Sequence, residues 1–294
     1  MGAAMADNLL PACEQLTLFN RSREKTEALA RKGAPVANSP AEAARNADAV
    51  FTMLPDDSAV EEVTFGETGI LAALPEGATH ISSSTISIKG ARRFAEEHER
   101  RKRNFVSAPV FGRPQAAEAR QLLVVFAGRS EIAEQYRPAF DAIGRRTFVV
   151  GEEPWTANLF KLLGNFMIAT VLETFGEAFA SIRKAGQNHH AFLEIMGELF
   201  ASPVYKNYGQ IIADEKFSPA GFALKLGLKD VRLALEAATE FDSPLPIASL
   251  LRDHFISALA HDQEQIDWSS VALVSARNSG LERPARATAA TLAE

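Results

Sequence analysis

PWTANLFKLLGNFMIATVLETFGEAFASIRK, residues 154–184, is a helix-long apolar stretch with a lysine set into it. Between Glu153 and Glu173 the one formal charge is Lys161, flanked by Leu159, Phe160, Leu162 and Leu163. Asn165 follows four residues on, so a 3.6-residue period sets its side chain on the face of Lys161. Lysines on helices usually reach into water. On an uncharged segment the amine must instead find partners or give up its proton, and either outcome is the perturbed amine that acid–base chemistry uses. Asn158, Lys161, Gly164 and Asn165 interrupt the stretch too often for a membrane span, where polar groups go unsatisfied. A helix covered on both sides fits better.

The stretch divides the chain. Upstream, short apolar runs at Leu16–Phe19, Ala47–Leu54, Ala78–Ser84, Asn104–Val110, Leu122–Ala127 and Arg146–Val150 predict strands. Helical patterns lie between them at 1–13, Glu24–Arg31, Ile88–Arg101 and Glu131–Ile143. This alternation predicts a mostly parallel sheet covered on both faces. Downstream, helices are legible at about 188–200, 203–213, 220–240, 247–260 and 268–278, set off by Ser-Pro, Phe-Ser-Pro, Ser-Pro-Leu-Pro and His-Asp stops, with no strand pattern. The expected domains are therefore an α/β unit over 1–153 and an all-helical unit over 154–281. A tail over 282–294, poor in large apolar residues, is expected to be disordered.

The 294 residues suffice for two cores, and a net charge of −6 argues against general affinity for nucleic acid or an anionic membrane. One cysteine, Cys13, rules out an intrachain disulfide framework. With no basic and apolar leader at its start, the chain is expected in the cytoplasm. Its six histidines lack metal-ligand spacing, so no metal site is expected, and His189-His190 is expected in an exposed turn. The basic run His98–Arg103 sits at a helix C-terminus, where cations complement the dipole, and is expected on a solvated face. In open α/β sheets ligands bind at the carboxyl ends of the strands. Asn20-Arg21, Pro55, Ser84-Thr85 and the segment Pro109–Pro114 all fall at such ends.

Six short motifs in order resemble the β-hydroxyacid dehydrogenase family, which includes 3-hydroxyisobutyrate dehydrogenases and is related to 6-phosphogluconate dehydrogenase. Met1-Gly2 is similar to the last M-G of the family's glycine-rich loop, Leu54-Pro55 to its L-P turn, and Ser84-Thr85-Ile86-Ser87 to its S-T-I-S turn. Ala108-Pro109-Val110-Phe111-Gly112-Arg113 resembles the A-P-V-S-G-G substrate loop. Lys161 to Asn165 resembles K-x-x-N-N, and Phe222 to Asp230 resembles F-x-x-x-L-x-x-K-D. The resemblance covers about residues 1–278 and implies a Rossmann-type doubly wound sheet followed by an all-α domain. It implies an NAD(P)-dependent oxidoreductase that interconverts a small β-hydroxy acid, or related alcohol, and its carbonyl. Lys161 is then the catalytic lysine and Asn165 its companion. Gly2, Leu54, Pro55, Thr85 and Lys229 belong to the cofactor site, and Val110, Phe111, Gly112, Arg113 and Asp230 to the substrate site. A homodimer or tetramer acting on a small carboxylate is expected.

Asn20, Arg21 and Ser22 stand where this fold ends its second strand with an acidic residue for the ribose 2′-hydroxyl, so NADP is expected, with NAD as the lesser cofactor. Phe111 and Arg113 replace a serine and a glycine of the substrate loop, and Gly164 replaces the first asparagine beside the lysine. These departures, with a glycine-rich loop of which only the end matches, motivate a second reading: a catalytically weak or inactive cofactor-binding dimer module on the same fold. A third is reduction of imines, a chemistry that often replaces this lysine in similar folds. The same match predicts that Met1 is an internal methionine, that the first strand and a G-x-G lie upstream, and that the chain as written expresses poorly and binds cofactor weakly.

Overall fold

The computed structural model describes residues 1–281, so the tail over 282–294 lies outside the described residues. The chain forms two compact units, residues 1–164 with 236–243, and residues 165–235 with the chain from Pro244 onward. The first unit is built on one sheet of β1 (Ala49–Thr52), β2 (Thr79–Ser82), β3 (Asn104–Ser107), β4 (Val110–Phe111), β5 (Leu122–Ala127) and β6 (Gly144–Gly151). β1, β2 and β3 run parallel, with Phe51 opposite Ile81 and Ile81 opposite Val106. β6 lies parallel to β5 on the far side.

Alternate residues feed two cores. Ile81 and Val106 pack with Met5, Leu9, Val124, Phe126 and Phe140. Phe105 packs on the other side with Val60, Ile86, Ala91 and Phe94. A sheet covered on both faces needs apolar side chains at successive positions, which is why its strands are short unbroken apolar runs.

Several expectations are corrected. The sheet is mostly parallel as expected, with one exception: β3 and β4 follow one another along one edge of β5, both antiparallel to it. The link from Phe111 to Leu122 holds the short helix Pro114–Glu118. That span is shorter than the crossover of a dozen or more residues a parallel return needs. Leu16–Phe19 forms no strand. Leu18 makes one parallel bridge to Val36, through Leu18 N to Pro35 O and Ala37 N to Leu18 O, both 2.8 Å, and the sheet's own order starts at β1. An extended segment becomes a strand only where a neighbour supplies a ladder. The helix expected over Glu131–Ile143 is two, Ser130–Gln135 and Arg137–Ile143, because Pro138 has no N–H to continue the first. Pro11 likewise turns the end of the first helix, Gly2–Leu9, into a 3-10 turn. The helix Asp57–Phe65, capped by Asp56 accepting from Ala59 N, was not anticipated.

The basic run is not wholly solvated. His98 is fully buried and Arg103 donates from Nε to Leu74 O at 2.8 Å. His189 is half-buried, with its Nε2 at 3.0 Å from Ala213 O.

The second unit is helical among the described residues: the remainder of the long helix, then His189–Phe200, Pro203–Ala213, Leu224–Glu240, Pro246–Leu259 and Ala272–Asn278. Its core gathers Leu172, Phe175, Leu224, Leu228, Leu251, Phe255 and Trp268. The long helix Trp155–Lys184 is not covered all round, since Phe160 and Met167 are exposed. By length and composition it could cross a membrane, but its buried positions include Asn158, Lys161 and Asn165.

Candidate active site

The turns after β1 and β2 are tied to each other. Leu54 N donates to Ser84 Oγ at 2.8 Å. The Asp57 carboxylate accepts from Ser87 N at 3.0 and 3.1 Å and from Ser87 Oγ at 2.5 Å. Ser87 Oγ in turn accepts from Gly90 N, capping the helix Ile88–Arg100. A Cβ on Gly90 would press into Asp57 Oδ1 and stand 3.0 Å from Ser87 Oγ, so a larger residue there would displace the Asp57 carboxylate. The result is a fixed frame holding Leu54, Pro55 and Thr85, with Pro55 exposed and Thr85 half-buried.

Farther back in the strands a directed chain runs through two buried imidazoles. His98 Nδ1 is 2.6 Å from Phe94 O, which can only accept, so Nδ1 carries the proton. In the neutral ring His98 Nε2 then accepts from His80 Nδ1 at 3.1 Å, and His80 Nε2 accepts from Thr52 Oγ1 at 2.9 Å. Burial holds the His98 pKa down to about 4, and burial with the neighbouring His98 holds His80 well below its ordinary value. Thr52 and His80 thus cross-link β1 and β2 just before the turns that carry the site.

The long helix meets this frame through Asn158, fully buried, whose Nδ2 donates to Ser107 Oγ at 2.9 Å and whose Oδ1 faces Ile86 N at 3.5 Å. Three residues on, Lys161 is 7 % exposed and its Nζ lies 4.1 Å from the centroid of the Phe111 ring. Phe111 packs among Val125, Ala127, Ala157 and Val150. Val110 is buried, Gly112 holds a positive φ of 147° with no room for a Cβ against Leu122, and Arg113 stands half-buried before the helix Pro114–Glu118. The backbone of this loop therefore depends on Gly112.

Within the second unit, Asn165 Nδ2 donates to Asp230 Oδ2 at 2.6 Å, and both are buried. Lys229 Nζ is 3.0 Å from Asp230 Oδ1. Asp267 holds the start of their helix by accepting from Gly221 N at 3.0 Å and Phe222 N at 3.2 Å.

The structure thus joins Leu54 to the Ser84-Thr85 turn, Phe111 to Lys161, and Asn165 to Asp230 and Lys229. Asn20, Arg21 and Ser22 form a surface turn closed by Ser22 N donating to Asn20 Oδ1 at 3.0 Å, with Arg21 exposed. Gly2 opens the first helix, where a Cβ would meet Met53 at an ordinary 3.6 Å. Asp57, Ser107 and Asn158 escaped sequence reasoning as site residues, and Ser87 entered only as the end of the S-T-I-S match. For Asn158 a signal existed, since it precedes Lys161 by three residues and shares its helix face.

The residues fit a dinucleotide. Ser83 Oγ, buried at the carboxyl end of β2 with no protein partner, is a group that a ligand there would satisfy. Among the described residues no cluster of side chains could hold a metal ion.

A Rossmann-like sheet followed by a helical unit, together with the relatives below, defines a two-domain NAD(P)-dependent oxidoreductase acting on a CH–OH group. Residues 1–151 match the NAD binding domain of 6-phosphogluconate dehydrogenase, and residues 156–275 match the NAD-binding domain of NADP-dependent 3-hydroxyisobutyrate dehydrogenase. The chain belongs to the β-hydroxyacid dehydrogenase family. It is 44 % identical over 271 residues to the uncharacterized oxidoreductase YfjR of Bacillus subtilis, covering 92 % of this chain and 95 % of that one. It is 31 % identical over 272 residues to glyoxylate/succinic semialdehyde reductase 1 of Arabidopsis thaliana, covering 92 % and 93 %. Among solved structures, the Mycobacterium tuberculosis 3-hydroxyisobutyrate dehydrogenase with L-serine superposes with a TM-score of 0.82 at 26 % identity, over 93 % of this chain and 94 % of that one.

Proposed function

We propose that the chain interconverts a small carboxylate-bearing aldehyde or ketone and its hydroxy acid, with NADP as cofactor and Lys161 as the acid that stabilises and protonates the developing alkoxide. The observation that carries this reading is the Lys161 amine, buried on an otherwise uncharged stretch of helix and anchored one turn after Asn158. The bound nicotinamide supplies or takes the hydride. A cationic Nζ beside the carbonyl oxygen favours the charge that builds there, and its proton completes the alcohol. Leu54, Pro55 and Thr85 are assigned to the nicotinamide, Gly2 to the pyrophosphate, and Asn20, Arg21 and Ser22 to the 2′-phosphate. In the second unit Asn165 is oriented by the Asp230 carboxylate, and Lys229 completes that polar group.

The substrate class is supported by the plant relative's name, since glyoxylate and succinic semialdehyde both carry an aldehyde and a carboxylate. Val110, Phe111, Gly112 and Arg113 supply an apolar wall and a guanidinium. The test is NADPH oxidation against a panel of small aldehydes, with and without a carboxylate. Carboxylate substrates should be favoured, and Arg113→Ala should raise KM for them by about tenfold, the loss of a charge-assisted hydrogen bond. Equal loss on neutral substrates would remove Arg113 from carboxylate recognition. No turnover of any panel member would overturn the substrate class.

Arg21→Glu is expected to lower the ratio of catalytic efficiencies, NADPH over NADH, by about 10- to 100-fold, because a phosphate contact is replaced by like-charge repulsion. An unchanged ratio would assign the 2′-phosphate elsewhere. A homodimer or tetramer is supported by the exposed apolar side chains Ile195, Leu199 and Phe200 in the second unit.

A further inference from the structure

Of the three departures from the family pattern in the first unit, the structure shows that two, Phe111 and Gly164, occur together. The pattern has serine where this chain has Phe111, and asparagine where it has Gly164. A Cβ built on Gly164 would overlap Cζ of the Phe111 ring and stand 2.7 Å from Cε1. The ring therefore rests edge-on in the space left by the missing side chain. Its face meets the Lys161 Nζ at 4.1 Å, one helical turn before Gly164. Glycine inside a helix costs roughly 1 kcal/mol relative to alanine, so an interior glycine here calls for a packing reason, and the Phe111 ring is that reason.

We propose that Phe111 is a positioning residue for Lys161, its ring face holding the ammonium where the reaction needs it, and that Gly164 is the seat that admits the ring. An ammonium over an aromatic face is attracted by the ring quadrupole, most strongly where water is thin. Lys161 is 7 % exposed, so the attraction acts in such a setting. A lysine side chain has four rotatable bonds, and confining its end over the ring reduces the wandering that would misplace a proton donor. The family's loop serine would offer a hydroxyl at this place. Here a hydrocarbon face stands in that place, with the Lys161 Nζ over it. This chain therefore reaches a placed lysine by packing and quadrupole attraction.

The inference rests on the assignment of Lys161 as the acid, and the experiment separates the two. In Phe111→Leu the apolar bulk stays and the ring face goes. We expect kcat to fall by about 3- to 30-fold with the NADPH dissociation constant and the melting temperature near wild type. Phe111→Tyr keeps the face and should restore most of kcat. Gly164→Ala pushes the ring off its seat and should lower kcat as Phe111→Leu does, whereas Gly164→Ala combined with Phe111→Leu should cost no more than either alone, since one contact is lost in all three. Wild-type kcat in Phe111→Leu, or a Tyr variant as slow as the Leu variant, would overturn the positioning role. Lys161→Ala with wild-type turnover would instead overturn the assignment of the acid.

Discussion

Lys161→Ala should lower kcat by about 10²- to 10⁴-fold, the range of a positioned general acid, while the NADPH dissociation constant stays within a few-fold of wild type. The split follows from where charge changes. A cationic amine beside the carbonyl oxygen interacts more strongly with the alkoxide-like transition state than with the neutral carbonyl, so its loss appears in kcat. The dinucleotide is assigned to the frame tied by Leu54, Ser84, Asp57 and Ser87, which the substitution does not touch. Lys161 does pack at Phe111, so thermal melting of the variant must accompany the kinetics. Steady-state rates with a carboxylate aldehyde and fluorescence titration of NADPH check the expectation. Turnover within a few-fold of wild type would remove Lys161 from the chemistry.

Acidification should unfold the first unit through His80 and His98. Both rings are buried and neutral, and the chain from Thr52 to Phe94 O leaves His98 Nε2 and His80 Nε2 as acceptors with no place for another proton. The folded pKa is depressed, so the full stability is present above the unfolded value of 6.5, and it declines as pH falls from there towards about 4, where His98 protonates in place. For His98 this interval corresponds to roughly 3 kcal/mol, a large part of a domain's net stability. Denaturant midpoints measured between pH 7.5 and 4.5 should fall accordingly. The buried Glu173, whose pKa is raised by burial, acts with the opposite sign, so the histidines are isolated by comparison with His98→Gln, whose profile should be flatter. An equally steep profile in that variant would show that other groups set the acid limb.

The buried histidine pair also shows where sequence reasoning stopped. HERRKR has the composition of a solvated helix end, and a one-dimensional pattern has no means of turning one member inward. His98 is buried because its helix, Ile88–Arg100, turns Ala91, Phe94 and His98 towards the sheet, where His80 and Phe105 receive it. Leu16–Phe19 failed for a related reason: strand propensity is local, whereas a ladder belongs to two segments.

What could be read from residues in order was whatever depends on period and punctuation. The alternation of strands and helices to β6, the helical run after it, and the isolation of Lys161 among apolar neighbours follow from hydrophobic spacing and from proline and glycine stops. Lys161 and Asn165 could be placed on one face because helix geometry fixes that relation within a single segment. The partners could not be read, because burial and hydrogen bonding are settled between segments far apart in the chain. Asn158 meets Ser107, Asp57 meets Ser87, and Asn165 meets Asp230 only once the chain has folded. Phe111 and Gly164 looked like two unrelated losses from a motif until a ring was found in the space of an absent side chain, where excluded volume, which no local pattern records, makes them one feature.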